Sequence, residues 1–321
     1  MGIMAVCFLV LAKCADWLVE GAIDIARLLH VSDILIGIVI VSVGTTAPEL
    51  AVSVQAALAG EADISLGNAV GSVIYDDGVA LPLVALLSPV AVSIDRTVLR
   101  SASIFLVGVH LIAYGLAFDG ALDRHEGVVL VLGFLFYLGY NYWEQRRHRQ
   151  LRPGGPDRDD QPGGSRLRVA GLFAAGLGGV LASSHGIVLA TPVVAGALGV
   201  SKAIIALALV ALGTSIPEIA TCVAAARRGH GSLAVGNILG ADILNICWIA
   251  GASAMVSGLH VAPRVIHFMF PSMLAIVFAM LALLRLNHTF TRWKGAVMLG
   301  LFGVYALLLV LLNPGRLPAV P

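Results

Sequence analysis

VGTTAPEL at 43–50 and LGTSIPEI at 212–219 are two places where a long apolar run carries a proline and a glutamate side by side. A proline removes a backbone donor and clashes with the preceding turn, and a mid-helix carboxylate costs roughly 2.5–3.5 kcal/mol on membrane-insertion scales. One such site reads as a kinked helix whose glutamate finds a local hydrogen bond. Two in register change the reading. With the chain offset by 169 residues, 31–76 lies on 200–245 without a gap, and seventeen of the 46 positions are identical. The identities include Gly44/Gly213, Thr45/Thr214, Pro48/Pro217, Glu49/Glu218, Gly67/Gly236, Asn68/Asn237 and Gly71/Gly240. Apolar composition alone does not align Pro-Glu and Gly-Asn pairs.

The chain around these segments is a membrane sequence. Of 321 residues 59% are hydrophobic and 12% charged, with a mean hydropathy of +0.94; soluble domains carry about 25% charge. A net charge of +1 and the lack of a basic stripe give no sign of a nucleic-acid partner. The partners expected are lipid and small cations, with oligomeric state left open. Ten stretches are long enough to span a bilayer: 2–29, 34–59, 63–89, 99–118, 125–143, 168–198, 202–227, 231–258, 264–285 and 292–313. The expected fold class is therefore an all-α membrane protein with ten transmembrane helices. The opening MGIMAVCFLV has no basic n-region and reads as the first helix, not a cleaved leader.

The organisation expected is a first five-helix repeat at 1–143, a flexible polar linker at 144–167 and a second repeat at 168–321. An odd number of helices per copy inverts the second copy relative to the first. Cell-membrane orientation follows from the basic residues. With the linker on the cytoplasmic side, Arg27, Arg96, Arg100, Arg227, Arg228, Arg285, Arg292 and Lys294 join the seven arginines of 144–168 there. Arg124, Lys202, Arg264 and Arg316 fall opposite. Both termini are then outside. Tyr137, Tyr140, Tyr142 and Trp143 read as an interfacial aromatic belt. Cys7, Cys14, Cys222 and Cys247 lack metal or redox spacing and read as inert.

Thr45, Thr46, Thr214 and Ser215 precede their glutamates by three or four residues, on the same helical face. The prolines are expected to free carbonyls near Ser42 and Ala211. Hydroxyl, carbonyl and carboxylate oxygens together suit hard cations such as Na⁺ and Ca²⁺. In the next helix of each copy, GNAVGSVIYDD (67–77) and GNILGADILNI (236–246), glycines at i, i+4 allow close helix approach. Ser72 and Asp76 face one way, with Ala241 and Asn245 as counterparts. Asn68 and Asn237 read as packing or helix-terminus residues. Inverted repeats with interrupted helices at the midplane are an arrangement of secondary transporters. A passive channel and a membrane enzyme are the other classes to weigh. The first usually builds a symmetric pore between subunits, and the second lacks a nucleophile, a histidine cluster or a phosphate loop here.

GTTAPE…GNAVGSVIYD and GTSIPE…GNILGADILN resemble the paired alpha-repeats of the Ca²⁺/cation antiporter superfamily, in particular the sodium/calcium exchanger family of prokaryotic type. The first motif covers 43–77 and the second 212–246. The resemblance implies alternating-access exchange of Na⁺ for Ca²⁺, with no cofactor beyond the transported ions. By position it implies ligands at Glu49, Thr45, Thr46, Ser72 and Asp76, and at Glu218, Thr214, Ser215 and Asn245. Two departures stand out. Asp76 and Asn245 reverse the family's usual order of Asn then Asp. Ala241 replaces a serine, removing a hydroxyl expected at one Na⁺ site, so H⁺-coupled or K⁺-dependent exchange is the alternative. Asp242, beside it, is a candidate replacement ligand. Asp77 has only Ile246 as counterpart, and a structural or gating role is expected before ligation.

Overall fold

The computed structural model describes residues 2–29, 31–94, 96–151, 165–197 and 211–311. Apolar composition leaves the backbone one economical option in lipid, which is to satisfy its hydrogen bonds within helices. The first half runs α1 (Gly2–Leu29), α2 (Asp33–Ile36), α3 (Ser42–Thr45), α4 (Ala47–Leu58), α5 (Ala62–Tyr75), α6 (Leu81–Leu87), α7 (Arg96–Leu116) and α8 (Arg124–Leu151). The second runs α9 (Arg166–Ala197), a helical stretch at 211–214, α10 (Ile216–Arg227), α11 (Gly231–Ile243), α12 (Gly251–Ser257), α13 (Phe270–Arg285) and α14 (Arg292–Leu311). Six described helical segments are long and apolar enough to cross a membrane, or seven if the pair bent by 116° between α1 and α2 counts as one. Large apolar side chains such as Leu9, Ile104, Phe136 and Leu307 are exposed on the outside.

Several helices continue through wider π turns: Gly37–Val41 joins α2 to α3, Asp76–Ala80 joins α5 to α6, Leu244–Ala250 joins α11 to α12, and Val265–Met269 leads into α13. The second and third of these occupy matching places in the two halves. Two-residue ribbons also interrupt the all-helical expectation. β1 (Val92–Ser93) pairs antiparallel with β4 (Thr289–Phe290), and β2 (Ala121–Leu122) with β3 (Leu259–His260). Each stitches a loop of one half to a loop of the other.

The halves also touch through backbone. A Cβ on Gly236 would lie 2.1 Å from the Ile34 carbonyl oxygen, and one on Gly37 would lie 2.4 Å from that of Leu233. Gly240 sits against Ile38 and Ser42, and its counterpart Gly71 against Ala211. Close approach is thus met at Gly71, Gly236 and Gly240; the contact matching Gly236–Ile34 would set Gly67 against residue 203, outside the described residues. Long helices α1 and α9 pack along one another, with Gly176 against Leu18 and Gly179 against Cys14. Arg228, just past α10, ties α1 by ion pairs to Asp16 and Glu20, both at 3.5 Å, and His230 meets Asp33 at 2.6 Å.

Two expectations change. The polar run at 144–167 is not all linker: α8 continues to Leu151 and α9 starts at Arg166, while 152–164 lie outside the described residues. Tyr137 does not sit in an interfacial belt; it is buried and stacks on Phe105 at 4.4 Å, whereas Tyr140 and Trp143 are exposed. A tyrosine spaced to face the helix interior takes core packing over the interface. The Tyr142 side chain is outside the described residues.

Candidate cation site

Both proline-glutamate segments are breaks. After α3 the chain leaves helical geometry at Thr46 (φ −79°, ψ 6°), and the matching residue Ser215 has φ −80°, ψ 3°. New helices start immediately, with Pro48 and Pro217 in their first turns, where a missing N–H costs least. Glu49 and Glu218 therefore also fall in a first turn, at the positive end of a helix, which favours a carboxylate. Both helices end in the same way, on Gly60 (φ +80°) and Gly229 (φ +81°), a conformation glycine adopts without strain.

Glu49, Asp76 and Glu218 are completely buried and lie within electrostatic reach of one another. The Thr214 hydroxyl lies beside Glu49 and the Thr45 hydroxyl beside Glu218, each from the opposite half. Neither closes to a hydrogen bond on the carboxylate, and among the described residues all six oxygens of the three carboxylates lack a partner. Ser72, Ser215 and both amide atoms of Asn245 are likewise buried and unpartnered among the described residues. Buried polar groups are normally hydrogen-bonded, so an unsatisfied cluster calls for a missing ion or water. No three or more carboxylate, imidazole or thiolate groups among the described residues converge at metal-binding spacing. A cation held here therefore needs neutral oxygens as well.

Those neutral oxygens are oriented by two residues that the sequence reading assigned to packing. Thr214 donates to Asn68 Oδ1 at 3.0 Å, and Thr45 donates to Asn237 Oδ1 at 3.3 Å, both across the halves. Asn68 Nδ2 in turn holds the Glu49 carbonyl at 3.3 Å and Ser53 Oγ at 2.9 Å. Asn237 Nδ2 reaches Cys222 Sγ at 3.7 Å, and Cys222 stands where the first half has Ser53. A hydroxyl that spends its proton on an internal acceptor keeps its lone pairs for a cation. The clue available beforehand was an amide in an apolar run, recurring in register.

The Ser42 and Ala211 carbonyls are not released, contrary to expectation. Ser42 O accepts from the Thr46 backbone N–H at 2.9 Å and from Thr46 Oγ1 at 2.8 Å. Ala211 O accepts from the Ser215 N–H at 3.1 Å and from Thr214 Oγ1 at 3.2 Å. The helix break comes after these turns have closed, and proline leaves them intact. Replacement of Asn68 by alanine is expected to destabilise the protein by about 1–3 kcal/mol, because it strips the Glu49 carbonyl and Ser53 of a buried donor. Thermal unfolding in detergent measures this, and an unchanged midpoint would contradict the proposed orienting role.

Ion-exchange architecture is what paired breaks, a buried carboxylate cluster and cross-braced hydroxyls define, and the comparisons agree. The family model described as sodium/calcium exchanger protein matches residues 1–143 and 168–311, and the chain belongs to that family. It is 32% identical to putative antiporter CaxA of Alkalimonas amylolytica, over 92% of this chain and 93% of that one. It is 29% identical to sodium/calcium exchanger MaX1 of Methanosarcina acetivorans, over 93% and 95%. A solved structure of the sodium–calcium exchanger NCX_Mj, soaked with Na⁺ and Ca²⁺, superposes with a TM-score of 0.80 at 27% identity, covering 95% of this chain and 97% of that one.

Proposed function

We propose that this chain is a secondary antiporter, and not an enzyme, that exchanges Na⁺ for Ca²⁺ by alternating access across the cell membrane. The observation carrying this is the buried pair Glu49 and Glu218, one per half, each at the start of a broken helix and each without a hydrogen-bond partner among the described residues. Around them Thr45, Thr46, Thr214, Ser215, Ser72, Asp76 and Asn245 supply the oxygen shell that Na⁺ and Ca²⁺ require. The architecture proposed is ten membrane helices as two inverted sets of five, with the polar 144–167 segment cytoplasmic and both termini outside. The matched breaks, the matched π turns and the paired ribbons support that arrangement.

Three carboxylates balance three Na⁺, whereas one Ca²⁺ leaves one negative charge over. Ala241 is buried and offers no hydroxyl, which favours H⁺- or K⁺-coupled exchange as the second reading. Purified protein in sealed vesicles separates them. ⁴⁵Ca²⁺ uptake is expected only under an opposing Na⁺ gradient. Uptake driven solely by a pH or K⁺ gradient selects the second reading, and uptake needing no gradient makes the protein a channel.

A further inference from the structure

Each cross-brace runs on past its asparagine. In one relay Thr214 donates to Asn68 Oδ1 at 3.0 Å, Asn68 Nδ2 to Ser53 Oγ at 2.9 Å, and Ser53 Oγ to the Ser65 carbonyl at 3.2 Å. The matching relay runs from Thr45 to Asn237 Oδ1 at 3.3 Å, from Asn237 Nδ2 to Cys222 Sγ at 3.7 Å, and from Cys222 Sγ to the Ala234 carbonyl at 3.6 Å. Step for step these are the same positions under the 169-residue offset, and the middle group changes from a hydroxyl to a thiol. All eight residues are buried, so each bond is made or lost inside the protein.

A thiol is a weak donor and a weak acceptor beside a hydroxyl. Cys222 therefore holds the Asn237 amide less firmly than Ser53 holds that of Asn68. Asn68 Nδ2 has a further anchor in the Glu49 carbonyl at 3.3 Å, whereas among the described residues Asn237 Nδ2 has only Cys222 Sγ. The slackness reaches the threonine. A hydroxyl has one proton to place, and for Thr214 the asparagine is the nearer acceptor, at 3.0 Å against 3.2 Å for the Ala211 carbonyl. For Thr45 the two acceptors are nearly level, Asn237 Oδ1 at 3.3 Å and the Ser42 carbonyl at 3.4 Å. Both lie beyond the usual O–H···O range of about 2.5–3.0 Å, so neither fixes the proton.

We propose that Cys222 is a positioning residue of the cation site, whose thiol keeps the second relay slack and leaves Thr45 free to turn its lone pairs as one ion replaces another. Cys222 touches no ion and acts through Asn237. The proposal deepens the antiporter reading and rests on it for the role of Thr45. It also gives a task to a thiol whose apolar surroundings read as inert.

Gradient-driven ⁴⁵Ca²⁺ uptake by the purified full chain in sealed vesicles tests this, with half-saturating Ca²⁺ and maximal rate read separately. C222S gives the second relay the chemistry of the first. It is expected to lower half-saturating Ca²⁺ by about threefold, the factor of one modest hydrogen bond. Its maximal rate is expected to fall, because a better-held Thr45 releases the ion more slowly. C222A removes the acceptor and is expected to raise half-saturation by a similar factor. Half-saturation at the wild-type value in either variant overturns the proposal even if the thermal midpoint moves, since a thiol that only packs alters stability alone. Should C222A fail to insert, C222S decides, and half-saturation unchanged or raised in it overturns the role. E218Q run alongside separates two failures. If E218Q stops uptake while C222S matches wild type, the positioning role falls and the site stands. If E218Q exchanges normally, the site falls and takes the positioning role with it.

Discussion

Vesicles carrying Glu49→Gln or Glu218→Gln are expected to take up no more ⁴⁵Ca²⁺ under a Na⁺ gradient than vesicles without protein. Each substitution keeps the shape of a completely buried side chain and removes one of the charges facing the ion. Truncating one member of a buried charged pair typically costs about 2–5 kcal/mol, which is about 30-fold in affinity at the low end. Transport suffers further because one empty ligand position disturbs both the loaded and the exchanging state. Insertion should survive, since replacing a buried carboxylate by a neutral amide lowers the cost of burial. Correct membrane insertion with normal exchange by either variant would refute the site.

Gly240→Ala is expected to damage the protein nearly as much without touching a charge. Its new Cβ would lie 2.5 Å from both the Ile38 carbonyl oxygen and Ser42 Oγ. Backbone cannot rotate away as a side chain can, so α11 and the Gly37–Val41 turn must separate. Overpacking of this kind costs typically about 1–3 kcal/mol. The thermal midpoint should fall, and flux with it, because Ser42 opens the turn that holds Thr45 and Thr46. Gly300→Ala on α14 is the control. Nothing lies within 4 Å of its Cβ, and its midpoint should stay at the wild-type value. A Gly240→Ala protein as stable and active as wild type would show that the halves are not held this closely.

Much of this was legible in the residues. The repeat aligned Glu49 with Glu218 and Asp76 with Asn245 because register survives in a gapless match, and proline marks a break wherever it falls inside a helix. The remainder depends on partners distant in the chain. Nothing local to Asp76–Ala80 signals a π turn, since the wider ladder is fixed by what packs against it. Asn68 and Asn237 looked like packing residues because their acceptor role is visible only once Thr214 and Thr45 approach from the far half. The Ser42 and Ala211 carbonyls failed the opposite way: proline chemistry was applied to a turn that closes before the proline is reached.

The crossed asparagine–threonine bonds have a bearing on how the site can be divided. Either stretch on its own would hold an amide with no hydroxyl to steady and a hydroxyl with no amide to receive its proton, because Thr45 bonds to Asn237 and Thr214 to Asn68. A chain cut between the two is therefore expected to lose both braces at once, and to regain them only when the two pieces are brought back together.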